Sequence, residues 1–221
     1  RPSRSEAKQI VRPLGLILGV LDIQGSVKEH LEMLKKIGLE PIAVKTKADL
    51  DKVDGLIIPG GESTTIGKLL KIDGLDKEIR ARAHKSFFSH KRPLAVWGTC
   101  AGAILLAKKV INNKPDTLGL MDITIVRNAY GRQTDSFETY IYAPSVAKEK
   151  IPAVFIRAPK IQKISKRVEI LSVFEGSAVM VRQRNLLATT FHPELTSDTR
   201  VHEYFVSMIG KPEGEPKAKS G

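Results

Sequence analysis

The chain has 221 residues, of which 42% are hydrophobic and 27% are charged, as expected of a globular domain large enough to bury a full core. Its single cysteine excludes an intramolecular disulfide, and no apolar run reaches the roughly 18 residues that a membrane span needs, so we expect a cytoplasmic protein that makes no membrane contact. The net charge of +12 is spread along the chain without a nucleic-acid motif, which favours a solvated basic surface or an acidic protein partner over nucleic-acid binding.

Composition divides the chain into three segments. We expect residues 1–13 to form a flexible basic extension, residues 14–210 a single folded domain, and residues 211–221 a disordered tail of Lys, Glu, Pro, Gly and Ser.

The first half alternates apolar runs with segments of helical spacing. Strands are predicted at Leu14–Ile23, Leu39–Val44, Asp54–Pro59 and Leu94–Trp97, and helices at Val27–Ile37, Ala48–Val53, Ile66–Leu70 and Leu75–Ser89. This alternation predicts a parallel, doubly wound α/β sheet, whose ligands bind beyond the carboxyl ends of the strands.

Two turns in this half have candidate helix caps. Ser26 with Glu29 matches a capping box for the first helix, and Ser63 or Thr64 is expected to cap the helix after Gly60-Gly61. The paired glycines let the backbone approach a ligand, and the N–H groups there suit an anion, although an ordinary turn is the alternative.

A nucleophile elbow is predicted at Gly98–Gly102, which reads G-T-C-A-G between the fourth strand and a helix over Ala103–Lys109. Small flanking residues permit a sharp turn, and the N–H groups that begin the helix favour a thiolate at Cys100. The alternative for a lone cysteine is a small buried hydrophobe.

The second half is richer in strands. They are predicted at Asp122–Val126, Phe137–Tyr142, Val154–Ile156, Val168–Phe174, Ala178–Arg182 and Leu186–Phe191, the last two joined as a hairpin. A polar loop is predicted at Arg127–Gln133, and a last helix, capped by Thr196 or Ser197, runs to about Ile209.

A histidine and a carboxylate follow the last strand in His192-Pro193-Glu194. In extended chain, residues i and i+2 point to the same face, so Glu194 can orient His192 as the base for a cysteine nucleophile. A surface loop is the alternative for such a tripeptide.

Six motifs in order resemble the class I glutamine amidotransferases, and among them the glutaminase subunits of pyridoxal 5′-phosphate synthase. They are L-D-I-Q-G-S-V-K-E-H at Leu21–His30, P-G-G-E-S-T-T-I at Pro59–Ile66, G-T-C-A-G at Gly98–Gly102, R-N-A-Y-G-R-Q-T-D-S-F-E at Arg127–Glu138, F-I-R-A-P at Phe155–Pro159, and F-H-P-E-L with its following threonine at Phe191–Thr196. The resemblance implies a flavodoxin-like three-layer sandwich with a mostly parallel central sheet and an antiparallel second-half extension.

The resemblance also implies roles for individual residues. Glutamine would be hydrolysed to glutamate and ammonia through a thioester on Cys100, with His192 as base and Glu194 orienting it. The N–H groups of Gly61 and Ala101 would form the oxyanion hole. The glutamine-binding positions are Gly60, Gly61, Glu62, Ser63, Arg127, Ile156 and Arg157.

The implied partner is a (β/α)₈-barrel synthase subunit that receives the ammonia, with Gln24 as a docking candidate, and neither a metal nor a cofactor is expected. Asp22, two residues before Gln24, stands where the family usually has a small residue. Two other functions stay open: a different hydrolase with a cysteine elbow, such as a γ-glutamyl hydrolase or peptidase, and a catalytically silent binding module.

Overall fold

The computed structural model describes residues 15–86, 92–112, 115–127 and 136–209. The predictions for the two terminal segments, for the loop after Arg127 and for residues 87–90 therefore lie outside the described residues.

Six α-helices and twelve strands form within the described ranges. The helices are α1 (Val27–Lys36), α2 (Lys47–Leu50), α3 (Ser63–Ile72), α4 (Leu75–Ala83), α5 (Ala101–Leu106) and α6 (Arg200–Met208). The strands are β1 (Leu18–Leu21), β2 (Ile42–Val44), β3 (Gly55–Ile58), β4 (Ala95–Thr99), β5 (Ala107–Ile111), β6 (Met121–Val126), β7 (Ser136–Ile141), β8 (Ile151–Ile156), β9 (Lys160–Ile164), β10 (Glu169–Phe174), β11 (Ser177–Gln183) and β12 (Leu186–Thr189).

A seven-stranded sheet in the order β10-β11-β12-β4-β3-β1-β2 forms the centre of the described structure. Its neighbours from β12 to β2 pair in parallel, whereas β11 pairs antiparallel with both β12 and β10. Two smaller sheets, β5-β6-β9 and β7-β8, belong to the second half of the chain. The predicted mostly parallel α/β sheet with its antiparallel extension, and the hairpin between β11 and β12, are confirmed.

Helices cover both faces of this sheet, because alternate residues of its strands point to opposite sides. In β3, Ile58 packs with α3, α4 and α5 in one buried cluster, while Ile57 packs with α1 and α6 in the other. Val96 and Trp97 divide between the same two clusters in β4. The expected three layers follow from this alternation.

The helix predicted after the elbow is shorter than expected. It ends at Leu106, and the next five residues form β5, which pairs in parallel with β6. Pairing buries Ala107 and Val110, and it places Lys108 beside Asp122 at 2.9 Å, so tertiary pairing outweighs the helix propensity of these residues. Strand β9 also escaped prediction, because only Ile161 of its five residues is buried.

The predicted helix caps were wrong in three places. Ser26 stands at the N-cap of α1 without a side-chain cap, Glu62 rather than Ser63 or Thr64 caps α3, and α6 begins after Thr199. The side chains of Ser26 and Glu62 line the cleft described in the next subsection.

Candidate active site

Cys100 lies on a strained turn between β4 and α5. Its φ of 48° is in the left-handed region, which costs a residue with a side chain about 1–3 kcal/mol. Its N–H donates to the carbonyl of Thr189 at 2.8 Å, which fixes the turn to the neighbouring strand. A Cβ at Gly98 would collide with the backbone of Gly102, and one at Gly102 would collide with the carbonyl of Ile58. The two glycines are therefore required by packing around the thiol.

The imidazole of His192 reaches the same place from the end of β12. Its backbone N–H donates to the carbonyl of Val154 at 2.8 Å, and its ring Nδ1 lies 2.7 Å from Oε1 of Glu194. The predicted contact between ring and carboxylate is present, but the extended conformation was wrong. A 3₁₀ turn over Pro193–Leu195 brings the two side chains together instead.

The environment favours a charged carboxylate at Glu194. Burial raises its pKa, but the electrostatic interaction with His30 and the hydrogen bonds from His192 and Ser26 outweigh burial and lower the pKa of Glu194 to about 2. Its Oε1 accepts from both the His192 ring and the Ser26 hydroxyl, each at 2.7 Å.

The environment favours a protonated imidazole at His192. Burial lowers its pKa, but hydrogen bonds to Cys100 and Glu194, with the charges of both, raise the pKa of His192 to about 10. The arrangement can therefore hold an imidazolium between a sulfur and a carboxylate, which is the electrostatic requirement for a cysteine nucleophile.

The thiol opens into a cleft of about 520 Å³, within the range of roughly 300–1,000 Å³ typical of small-molecule sites. All eight predicted glutamine and oxyanion residues line it beside Cys100 and His192: Gly60, Gly61, Glu62, Ser63, Ala101, Arg127, Ile156 and Arg157. Glu194 lies behind His192. Gln24 supports the wall, since its Oε1 accepts from the N–H of Glu62 at 2.8 Å.

Glu62 and Arg127 form a charged corner of this cleft. The Glu62 carboxylate caps α3 by accepting from the N–H groups of Thr64 and Thr65, at 3.0 and 2.7 Å. Although burial raises its pKa, these bonds and those of the threonine hydroxyls lower the pKa of Glu62 to about 2. Arg127 donates to the carboxylate at 3.2 Å and to the hydroxyl of Thr64 at 3.1 Å.

Three further residues line the cleft that sequence reasoning did not assign to it: Ser26, Ile104 and Leu195. Ser26 carried a misleading signal, because its spacing to an acidic residue fitted a helix cap. The two apolar side chains carried none, since they resemble ordinary core residues.

Among the described residues, no group of three or more His, Cys, Asp or Glu side chains is placed to hold a metal ion. Within the same ranges, none of the helices has the length and apolar character required to cross a membrane.

Comparisons with known proteins agree on one family. A family model described as the SNO glutamine amidotransferase family matches residues 20–211. Pyridoxal 5′-phosphate synthase subunit PdxT of Thermotoga petrophila is 50% identical over 192 residues, covering 87% of this chain and 98% of the relative. The subunit of the same name from Chloroflexus aggregans is 51% identical over 197 residues, covering 87% and 100%. A crystal structure of a glutamine amidotransferase superposes with a TM-score of 0.82 at 42% identity, covering 88% and 99%.

Proposed function

The chain belongs to the SNO glutamine amidotransferase family, and on that premise we propose that it is the glutaminase subunit of a pyridoxal 5′-phosphate synthase. It hydrolyses glutamine to glutamate and ammonia, and the ammonia passes to the synthase subunit. The observation that carries this function is that Cys100 and His192 line one cleft of amino-acid size, with Glu194 bonded to the His192 ring from behind.

The first half-reaction forms a thioester. The Cys100 thiolate attacks the side-chain amide carbon of glutamine and forms a C–S bond, and the negative charge moves to the amide oxygen. When that oxyanion collapses, the C–N bond breaks and the His192 imidazolium gives its proton to the leaving nitrogen, which departs as ammonia. The high pKa of His192 keeps this proton available at neutral pH.

The second half-reaction returns the enzyme to its starting state. His192, now neutral, removes a proton from water, and the resulting hydroxide attacks the thioester carbon. The C–S bond breaks, glutamate leaves, and Cys100 is again a thiolate beside an imidazolium. Glu194 holds Nδ1–H throughout, so the other ring nitrogen remains the one that exchanges protons.

The oxyanion is bound by the backbone N–H groups of Gly61 and Ala101. Ala101 opens α5 immediately after the nucleophile, where helix N–H groups are unpaired. The carbonyl of Gly60 accepts from the N–H of Ser26 at 3.1 Å, and a planar trans peptide directs the next N–H the opposite way. That contact therefore sets the direction of the Gly61 donor.

The polar ends of glutamine are held by the charged residues of the cleft. Arg127 and Arg157 suit its carboxylate, because a guanidinium donates several N–H groups in a plane. The ionised Glu62 suits its ammonium, with Ser63 and the backbone of Gly60 beside it, and Ile156 contacts the aliphatic stem.

The partner is a synthase subunit that we expect to be a (β/α)₈ barrel, with Gln24 near its docking surface, and we expect the two to work in the cytoplasm. Support for a partner comes from the relatives, which are named as subunits of a synthase. The relatives give no support to a γ-glutamyl hydrolase, a peptidase or a silent binding module.

A labelling experiment tests the function. We expect the glutamine analogue 6-diazo-5-oxo-norleucine to modify Cys100 in the full chain, and ammonia release from glutamine, measured with the synthase subunit present, to disappear in Cys100→Ala. Glutamine turnover that persists in Cys100→Ala, or labelling at another residue, would contradict the proposal.

A further inference from the structure

Two buried histidines lie directly behind Glu194, outside the substrate cleft. His30 from α1 and His202 from α6 are both 0% exposed, and Nδ1 of His30 lies 3.0 Å from Nε2 of His202. The other nitrogen of His30, Nε2, lies 3.2 Å from Oγ1 of Thr99 and 3.5 Å from Oε2 of Glu194. The two histidines stand 172 residues apart in sequence, so only the fold brings them together.

Glu194 needs a donor on this side. Its Oε1 already accepts from His192 and Ser26, whereas Oε2 is buried and has no hydrogen-bond partner among the described residues. A buried carboxylate oxygen without a donor is costly. The only side-chain nitrogen recorded near Oε2 within the described structure is Nε2 of His30.

The hydrogen-bond pattern fixes which nitrogens carry protons. Nδ1 of His202 is buried without a partner in the described structure, and an unpaired lone pair there costs less than an unpaired N–H. His202 therefore carries its proton on Nε2 and donates it to Nδ1 of His30. His30 must then carry its proton on Nε2, which faces Thr99 and Glu194.

The rings are held in this arrangement by Trp97 and by burial. The indole packs edge-on against His30 and His202, with ring centroids 5.5 and 4.8 Å apart. Burial lowers the pKa of His30, and repulsion from His192 lowers it further. Attraction to Glu194 and Glu29 offsets only part of this decrease. Burial and the neighbouring His30 hold the pKa of His202 well below its usual range. Both rings are therefore neutral at pH 7, and the charge of His30 acts on Glu194 only at the lower pH where His30 is protonated.

We propose that His30 is a positioning residue of the glutaminase reaction, whose Nε2–H anchors the second oxygen of Glu194 while His202 fixes the tautomer of His30. This role rests on the proposed function, because it acts through Glu194 and His192. Because Nε2 of His30 lies 3.5 Å from Oε2, the attraction of its N–H favours the rotation of the carboxylate that keeps Oε1 on the His192 ring.

The first test needs no variant. In the ¹⁵N-labelled full chain, the nitrogen shifts of the imidazole rings report which ring atom carries the proton. We expect neutral rings protonated on Nε2 for both His30 and His202. A proton on Nδ1 of His30, or a charged His30 at pH 7, would overturn the proposal.

The second test separates positioning from packing. His30→Leu fills the space but removes the donor, and we expect kcat for glutamine to fall about tenfold to a hundredfold with KM unchanged. The acid limb of the kcat/KM profile moves to higher pH, because an unanchored Glu194 protonates more readily. His30→Gln restores an N–H near the position of Nε2, and we expect it to recover most of the rate. His84→Leu, at an exposed histidine that ends α4, is the matched control and keeps the wild-type rate.

The outcomes distinguish this proposal from the proposed function. A folded His30→Leu with the wild-type kcat and pH profile, or a His30→Gln as slow as His30→Leu, overturns the role of His30 alone. If the wild type releases no ammonia, the proposed function fails. The role of His30 is then tested by the pH dependence of Cys100 alkylation by iodoacetamide, which His30→Leu must shift relative to wild type. If His30→Leu does not fold, the ¹⁵N measurement of the His30 and His202 tautomers in the wild type still tests the proposal.

Discussion

Replacing Glu194 with glutamine removes one charge from the candidate site and keeps its shape. The pKa of the carboxyl lies at about 2 against an ordinary 4.5, so its surroundings favour the charged form by about 3 kcal/mol. The causes are the charge of His30, the hydrogen bond and charge of the His192 ring at 2.7 Å, and the Ser26 hydroxyl, and the pKa of His192, at about 10, depends on the same contact. If all of this stabilisation is lost in the transition state, 3 kcal/mol sets an upper limit of about a 150-fold lower rate.

The assay for Glu194→Gln is glutamate release with the synthase subunit present. We expect kcat to fall by about two orders of magnitude and KM to change little, because the carboxylate does not touch the substrate cleft. Glu40→Gln, at an exposed carboxylate, is the matched control and keeps the wild-type rate. A folded Glu194→Gln with kcat within threefold of wild type would refute the assignment of Glu194 as the partner of the base.

Further predictions concern close packing, a buried cation and acid stability. Gly60→Ala places a Cβ against the His192 ring and should lower kcat at least tenfold in a folded protein, measured by glutamate release. Arg82→Met removes a buried guanidinium that donates to the backbone carbonyls of Leu50, at the end of α2, and of Val53, and it should lower the free energy of unfolding by about 3 kcal/mol in urea titrations while leaving kcat unchanged. Because the folded-state pKa of Glu194 is depressed, its contribution is present above pH 4.5 and lost as the pH falls toward about 2. The stability of wild type relative to Glu194→Gln, measured in urea from pH 7 to 3, should therefore decline over that acid range. A difference independent of pH would contradict this sign.

The features that sequence predicts here are those fixed by nearby residues. The elbow was predictable because G-x-C-x-G satisfies a steric requirement within five positions, and the structure shows both glycines in contacts too close for a side chain. The hairpin between β11 and β12 was predictable for the same reason, since its strands are adjacent in the chain.

The features that escaped prediction depend on partners far away in sequence. Ser26 matched a local capping box, yet its hydroxyl donates to a carboxylate 168 residues later. Lys108 and Lys109 follow good helix formers, yet they lie in β5 because β6 offers a partner strand. His30 has the spacing of an ordinary helix residue, and its role depends on His202 and Glu194, which only the folded sheet brings close.

The loop between β1 and α1 links the two halves of the proposed machinery. The Ser26 backbone N–H donates to the carbonyl of Gly60 and so sets the direction of the Gly61 N–H. The Ser26 hydroxyl donates to Glu194. Two residues earlier, Gln24 accepts a hydrogen bond from the N–H of Glu62 in the charged corner of the cleft. A shift of this loop would therefore change the Gly61 oxyanion donor, the orientation of the His192 base and the charged corner of the cleft together. A synthase subunit that contacts Gln24 would act on all three through hydrogen bonds already present in the free glutaminase, without any contact with Cys100.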